Sequence, residues 1–202
     1  MEWFWESVEK DIGIVWDTSY TKTLDTSNGI PWSKWFVEGK TNLYKSSVEK
    51  FTKQTPEKIA YNFISEDGIE TKLSYFELNI KISKLANVFK SLGVKKGDVI
   101  AIYLPMIEEA IVSILAAAKI GAVQTIVFSG YSSESLKTRL QDCHAKILLT
   151  SDGFHRKGKT ISQKITVDAA VIDTDIEKII VVSYKGIDKF EKSDKIQFYD
   201  DL

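Results

Sequence analysis

Val99-Ile100-Ala101-Ile102-Tyr103, Val123-Gln124-Thr125-Ile126-Val127-Phe128 and Lys146-Ile147-Leu148-Leu149-Thr150 decide the fold. All three runs are short, rich in β-branched residues and mostly apolar, as strands covered by helices on both faces must be. The segments between them read as helices. Alternating strand and helix implies parallel pairing through right-handed crossovers, hence an α/β protein with a Rossmann-like parallel sheet flanked by helices. Such sheets bind ligands beyond the carboxyl ends of their strands. Two turns fall there: Ser129-Gly130-Tyr131-Ser132, and Ser151 through Lys159.

Working outward, the clearest helix spans Tyr75 to Leu92. Ser74 and Glu77 form a capping box, Leu78, Ile82, Leu85, Phe89 and Leu92 make one apolar stripe, and Gly93 supplies the stop. Pro105 opens a second helix, Ile107 to Ile120, apolar on most sides, and a third runs from Ser133 to about Cys143. A helix around Ser162 to Ala170, a strand Lys178 to Val182 and a polar linker through Lys195 follow. Upstream, Leu43 to Lys53 predicts a helix stopped near Pro56, and Ile59 to Ile64 a strand turning at Asp67-Gly68 into Glu70 to Leu73.

Residues 1–42 differ in character. They hold all five tryptophans, Trp3, Trp5, Trp16, Trp32 and Trp35, with a short helix predicted over Trp3 to Lys10 and an irregular segment over Ser19 to Asn28. This pattern predicts an aromatic arm laid over a larger body and anchored by ring burial, ahead of the main part at residues 43–202; that body would include residues outside this sequence, so these 202 residues are expected to leave apolar surface exposed. At the other end, Tyr199-Asp200-Asp201-Leu202 reads as the opening of a helix.

Composition narrows the function classes. With 44% hydrophobic and 27% charged residues the chain can bury a core, and a net charge of −1 argues against nucleic acid or an anionic membrane as partner. Any anion site must be local. Cys143 is the single cysteine, which excludes an internal disulfide and fits a reducing compartment, and the acidic, aromatic N-terminus is unlike a signal peptide. A cytoplasmic location is expected. The apolar stretch 110–128 is broken by Lys119, Gly121 and Gln124. A central lysine costs about 2.5–3.5 kcal/mol in a membrane, so it predicts a buried helix and strand rather than a span.

Arg156-Lys157-Gly158-Lys159 places three cations around one glycine beyond the third strand. Guanidinium can grip phosphate through two parallel hydrogen bonds, ammonium adds charge, and glycine admits close backbone approach. A solvated basic turn has the same composition. Phe128-Ser129-Gly130 leads to a helix N-terminus, whose free amides favour anions, but alone it is a bare glycine turn. Cys143, His144 and His155 fall short of a closed zinc site, so no metal site is expected. No residue is marked as catalytic.

Tyr103-Leu104-Pro105-Met106, Ala116 to Val123, Phe128 to Ser132 and Asp152 to Lys159 stand in the order and spacing of AMP-forming acetyl-CoA synthetases and their short-chain acyl-CoA relatives. Pro31 to Leu43 resembles that family's N-terminal entry motif. The resemblance runs from about Trp3 to Leu202 and makes this stretch the first part of the large domain of an adenylate-forming enzyme. It implies that Arg156, Lys157, Gly158 and Lys159 receive the 3′-phosphate end of coenzyme A, with Phe128, Ser129 and Gly130 beside its channel. Two departures stand out. Lys159 replaces the usual arginine, and Ser129 occupies a position where the family commonly has glycine.

The family's Ser/Thr/Gly-rich ATP-phosphate loop does not occur in these 202 residues. Resemblance places it shortly after Leu202. Coenzyme A is thus the expected ligand, ATP and Mg2+ belong to the complete enzyme, and a second chain carrying the rest is one arrangement the resemblance allows. A non-catalytic coenzyme A or nucleotide module, or the product of an interrupted gene, stands as the alternative.

Overall fold

The structure, a computed structural model, describes residues 2–66, 68–186 and 190–202. The arm contains helix α1 (Glu2–Ile12) and four short strands, β1 (Trp16–Thr18), β2 (Lys22–Asp25), β3 (Lys34–Val37) and β4 (Lys40–Thr41), paired antiparallel as β1 with β4 and β2 with β3. A π-helical stretch (Lys45–Glu49) runs into α2 (Lys50–Gln54), and β5 (Ile59–Ile64) and β6 (Glu70–Ser74) form an antiparallel hairpin. Asp67, predicted in its turn, lies outside the described residues. Then come α3 (Tyr75–Ser91), β7 (Val99–Tyr103), α4 (Glu108–Ile120), β8 (Val123–Ile126), α5 (Ser133–Asp142) and β9 (Ile147–Ser151). The last elements are β10 (Gly153–Arg156), β11 (Lys159–Ser162), α6 (Lys164–Ala170), β12 (Lys178–Val182) and β13 (Ile196–Phe198).

The expected α/β architecture is borne out. Five parallel strands run in the order β13-β12-β9-β7-β8. Alternate side chains of a strand face opposite ways, and this sheet has a core on each face. Ile100, Ile102, Ile147, Leu149 and Ile180 join Leu78, Ile82 and Phe89 of α3 and Val112 and Leu115 of α4. Ala101, Tyr103, Leu148 and Val181 join Leu136 and Leu140 of α5 and Val167 of α6.

Local signals work as read. Ser74 accepts from the Glu77 amide at 3.3 Å while the Glu77 carboxylate accepts from the Ser74 amide at 2.9 Å, closing the capping box of α3. Those hydrogen bonds hold the Glu77 carboxyl below its usual range. Gly121, at φ 74, ends α4 in the left-handed conformation.

One expectation needs correction. The segment predicted irregular, Ser19 to Asn28, contains β2, which exists because β3 pairs with it and because buried Thr23 donates to Glu6 of α1 at 2.9 Å. β13 starts directly after the predicted linker, at Ile196, a run too short to show periodicity that forms by adding to the β12 edge; residues 187–189 of that linker lie outside the described residues. Ring burial in the arm is incomplete within these 202 residues. Trp3 and Trp32 are 71% and 72% exposed, and α1 has no buried residue.

The arm packs on itself and is tied on by polar contacts. Trp5 meets Trp35 edge-on at 5.4 Å between ring centroids, and Trp16 meets Tyr20 at 5.2 Å and Phe36 at 5.5 Å. A Cβ at Gly39 would lie 2.6 Å from the Trp16 ring, so only glycine lets that ring settle. Lys50 donates to the carbonyls of Ile12 and Gly13 at 2.9 and 2.8 Å, satisfying the end of α1. Asn42 does the same for α4 through the Ala118 carbonyl at 3.0 Å. Lys119, which interrupts the long apolar stretch, donates to Tyr44 at 3.0 Å and Ser83 at 2.8 Å. Among the described residues no helix is long and apolar enough to cross a membrane.

Phe89 is fully buried and Trp32 largely exposed. Phe89→Ala should therefore cost about 3–5 kcal/mol in urea unfolding, and Trp32→Ala less than about 0.5 kcal/mol. Comparable losses would contradict the burial pattern described here.

Candidate functional site: the carboxyl ends of the sheet

At the carboxyl ends of β7, β8, β9 and β12 the chain must leave a buried sheet, and its polar groups need partners there. Ser151, the last residue of β9, and Asp152, directly after it, are 0% and 2% exposed. Asp152 Oδ1 accepts from the amides of Tyr184 and Lys185 at 3.0 and 2.9 Å, and Oδ2 accepts from the Gly186 amide. This carboxylate thereby folds the loop after β12 around the root of the next hairpin. Ser151 donates to the side-chain oxygen of buried Gln163, whose Nε2 donates to the Tyr103 carbonyl at 3.4 Å, linking β9 to the end of β7.

The stretch expected to be an open turn, Ser151 through Lys159, is a hairpin. β10 and β11 pair in register, with Arg156 opposite Lys159, and Lys157-Gly158 forms a two-residue tip. Lys157 and Gly158 have φ 52 and φ 71, as a hairpin turn with two left-handed residues requires. Local propensity hides this, since basic residues are poor strand signals. The hairpin exists because Gly153 through Arg156 meets Lys159 through Ser162 across a turn that glycine makes possible. Arg156, Lys157 and Lys159 are exposed and have no carboxylate partner in an ion pair among the described residues.

The structure brings the two predicted segments together. A Cβ placed on Gly130 would lie 2.8 Å from Arg156 Nη1 and 2.9 Å from Phe128 Cε1. The guanidinium and the ring thus both approach the Gly130 backbone closely. Phe128 is 58% exposed, whereas Ser129 is buried at 8%, so the side chain that departs from the family's glycine points away from open solvent. Tyr103 steadies the turn by donating to the Tyr131 carbonyl at 2.8 Å, and the Arg139 guanidinium lies 4.6 Å from the Tyr131 ring centroid.

Other candidates stay apart. His144 is exposed and 2.7 Å from Asp175, His155 Nδ1 is 3.0 Å from Thr160 Oγ1, and burial pushes the Cys143 thiol up. Among the described residues no three His, Cys, Asp or Glu side chains converge in a way that could hold a metal ion. A cavity of about 370 Å³ between α3, α4 and the chain's last residues is lined by none of the hairpin cations. Burial pushes the Glu109 carboxyl up there, and burial with the neighbouring Glu109 raises the Tyr199 phenol.

Sequence reasoning quoted Asp152 without giving it a role and did not single out Glu66, which reaches the hairpin tip from the β5–β6 turn. A buried acid between a strand and a glycine is a usable signal for Asp152. Nothing local marks Glu66.

Cations and a glycine turn thus lie beyond the carboxyl ends of the parallel sheet of an α/β fold. Residues 48–201 match the AMP-binding enzyme family and residues 1–46 match the acetyl-coenzyme A synthetase N-terminus, so the chain belongs to the AMP-binding enzyme family. It is 41% identical to the acetyl-coenzyme A synthetase of Methanothrix thermoacetophila over 202 residues, 98% of this chain and 30% of that protein. Acetyl-coenzyme A synthetase 2 of Saccharomyces cerevisiae is 40% identical over 182 residues, 90% of this chain and 26% of that protein. The fold matches the acetoacetyl-CoA synthetase from Streptomyces lividans at TM-score 0.89 and 25% identity, over 100% of this chain and 30% of that one. The chain spans about 30% of the length of these relatives.

Removing Asp152 would strand the amides of Tyr184, Lys185 and Gly186 at once. Asp152→Ala should lower unfolding free energy by at least about 2 kcal/mol, the scale of hydrogen bonds to a charged group, whereas exposed Asp168→Ala should stay within about 0.5 kcal/mol. An Asp152 variant as stable as the parent would show that the amides it holds have other partners.

Proposed function

We propose that this chain is the N-terminal portion of an AMP-forming ligase that joins acetate or another short-chain acid to coenzyme A, supplying scaffold and part of the coenzyme A site. In that reaction carboxylate and ATP give acyl-adenylate and diphosphate, and the thiol of coenzyme A then displaces AMP to give acyl-CoA. The convergence of Arg156 with Gly130 and Phe128 carries the reading. Arg156 offers a fork to the 3′-phosphate, Lys157 and Lys159 add charge, Gly158 keeps the tip free of side chain, and the exposed Phe128 ring offers a face to the ligand. Lys159 retains charge without the two-pronged geometry of arginine. Ser129, being buried, takes no direct part.

The groups that hold ATP and Mg2+ and assist adenylation are assigned to the remaining two-thirds of the enzyme, as a continuation or a second chain. We place the assembled enzyme in the cytoplasm. The 202-residue chain by itself should leave acid-dependent exchange of pyrophosphate into ATP at background, and clear exchange would refute the assignment of adenylation to the remainder.

In an enzyme completed with that remainder, Arg156→Ala should weaken coenzyme A use by about 1.5–3 kcal/mol, roughly 10- to 150-fold, the scale of a hydrogen bond to a charged group. Adenylation should hardly change, because that half-reaction does not involve the thiol. Steady-state kinetics with each half-reaction assayed separately checks this. Equal loss in both, or in neither, would remove the hairpin from the coenzyme A site.

A further inference from the structure

The tip of the β10–β11 hairpin already touches an anionic group. Glu66, in the exposed turn between β5 and β6, accepts from the Gly158 amide through Oε1 at 3.4 Å, across 92 residues of sequence. It is the only carboxylate among the described residues that hydrogen-bonds the tip, which carries three cations without an acidic ion-pair partner. A carboxylate oxygen and a phosphate oxygen ask the same thing of a backbone N–H, namely an aligned donor within positive potential. At 3.4 Å and in solvent the contact is long and weak, so a ligand with more charge and more acceptor oxygens outcompetes it.

We propose that Glu66 is an internal occupant of the hairpin tip that a phosphate-bearing ligand displaces, so that filling the tip releases the β5–β6 hairpin from it. This rests on the coenzyme A site proposed above and adds its regulation. The release has somewhere to act. Phe63, Ile64 and Ile69 of the β5–β6 hairpin wall a cavity of about 300 Å³ together with Met106, Ile107 and Tyr184. Tyr184 belongs to the loop that Asp152 holds at the root of the cationic hairpin. The two hairpins meet at the Glu66 contact, and the cavity is walled by the β5–β6 hairpin and by the loop that Asp152 holds rather than by the cationic hairpin itself, so release of Glu66 from the tip bears on the cavity through its β5–β6 wall.

The test uses the 202-residue chain, Glu66→Gln and Arg156→Ala, titrated calorimetrically with coenzyme A and with its 3′-dephospho form. Glu66 is exposed, so its substitution leaves the core intact. Glu66→Gln should bind coenzyme A about two- to five-fold more tightly at low salt, the scale of an exposed charge interaction. The gain should shrink at high salt and be absent with the dephospho form. In the ligand-free chain the Gly158 amide resonance should shift on the same substitution. An unmoved Gly158 amide, or a gain equal for both ligands, overturns the displacement. Equal affinity of parent and Glu66→Gln, with preference for the phosphate kept and lost only in Arg156→Ala, overturns Glu66 and leaves the coenzyme A site standing. Absence of phosphate preference in every chain overturns the site, and the displacement with it.

Discussion

Strand β9 is hydrogen-bonded along both edges, to β7 and β12, and covered on both faces, with Ile147 and Leu149 in one core and Leu148 in the other. A strand in that position can neither carry a polar side chain without a partner nor end without buried polar groups appearing. The end of β9 supplies them in sequence as Thr150, Ser151 and Asp152, all buried. Asp152 then organises the loop after β12, Ser151 and Gln163 bridge to the end of β7, and the hairpin bearing Arg156 grows from that root. The exposed, adaptable part of the site is held by its least exposed part.

Charge is distributed by the same logic. The chain is nearly neutral, yet its hairpin concentrates cations that find no carboxylate in an ion pair among the described residues, while some cations elsewhere are paired, as Lys146 with Asp98 at 2.8 Å and Lys81 with Glu108. The Lys146–Asp98 contact holds the Asp98 carboxyl below its usual range and raises the Lys146 ammonium.

The arm follows a different rule. Its rings contact one another, its attachment runs through backbone carbonyls at helix ends, and apolar area remains uncovered at Trp3, Ile30 and Trp32. Ring burial on a body reaching beyond this sequence was the expectation from five clustered tryptophans; clustering in sequence by itself says only that rings can meet one another. Whether they also meet a body depends on chain elsewhere.

What was legible in the sequence was whatever rests on neighbours along the chain. The runs of β7 and β9, the capping box at Ser74 and Glu77, the stripe of α3, and Gly93 as its stop all follow from periods and caps a few residues long. The motifs around Phe128 and Arg156 identified the family by the same local means. Only tertiary structure could decide that Arg156 lies over Gly130, that Ser151 through Lys159 is a hairpin, that Ile196–Phe198 completes the sheet, and that Glu66 reaches Gly158. Each depends on a partner strand or side chain supplied from far along the chain, and sequence periodicity carries no record of which distant segment pairs with which.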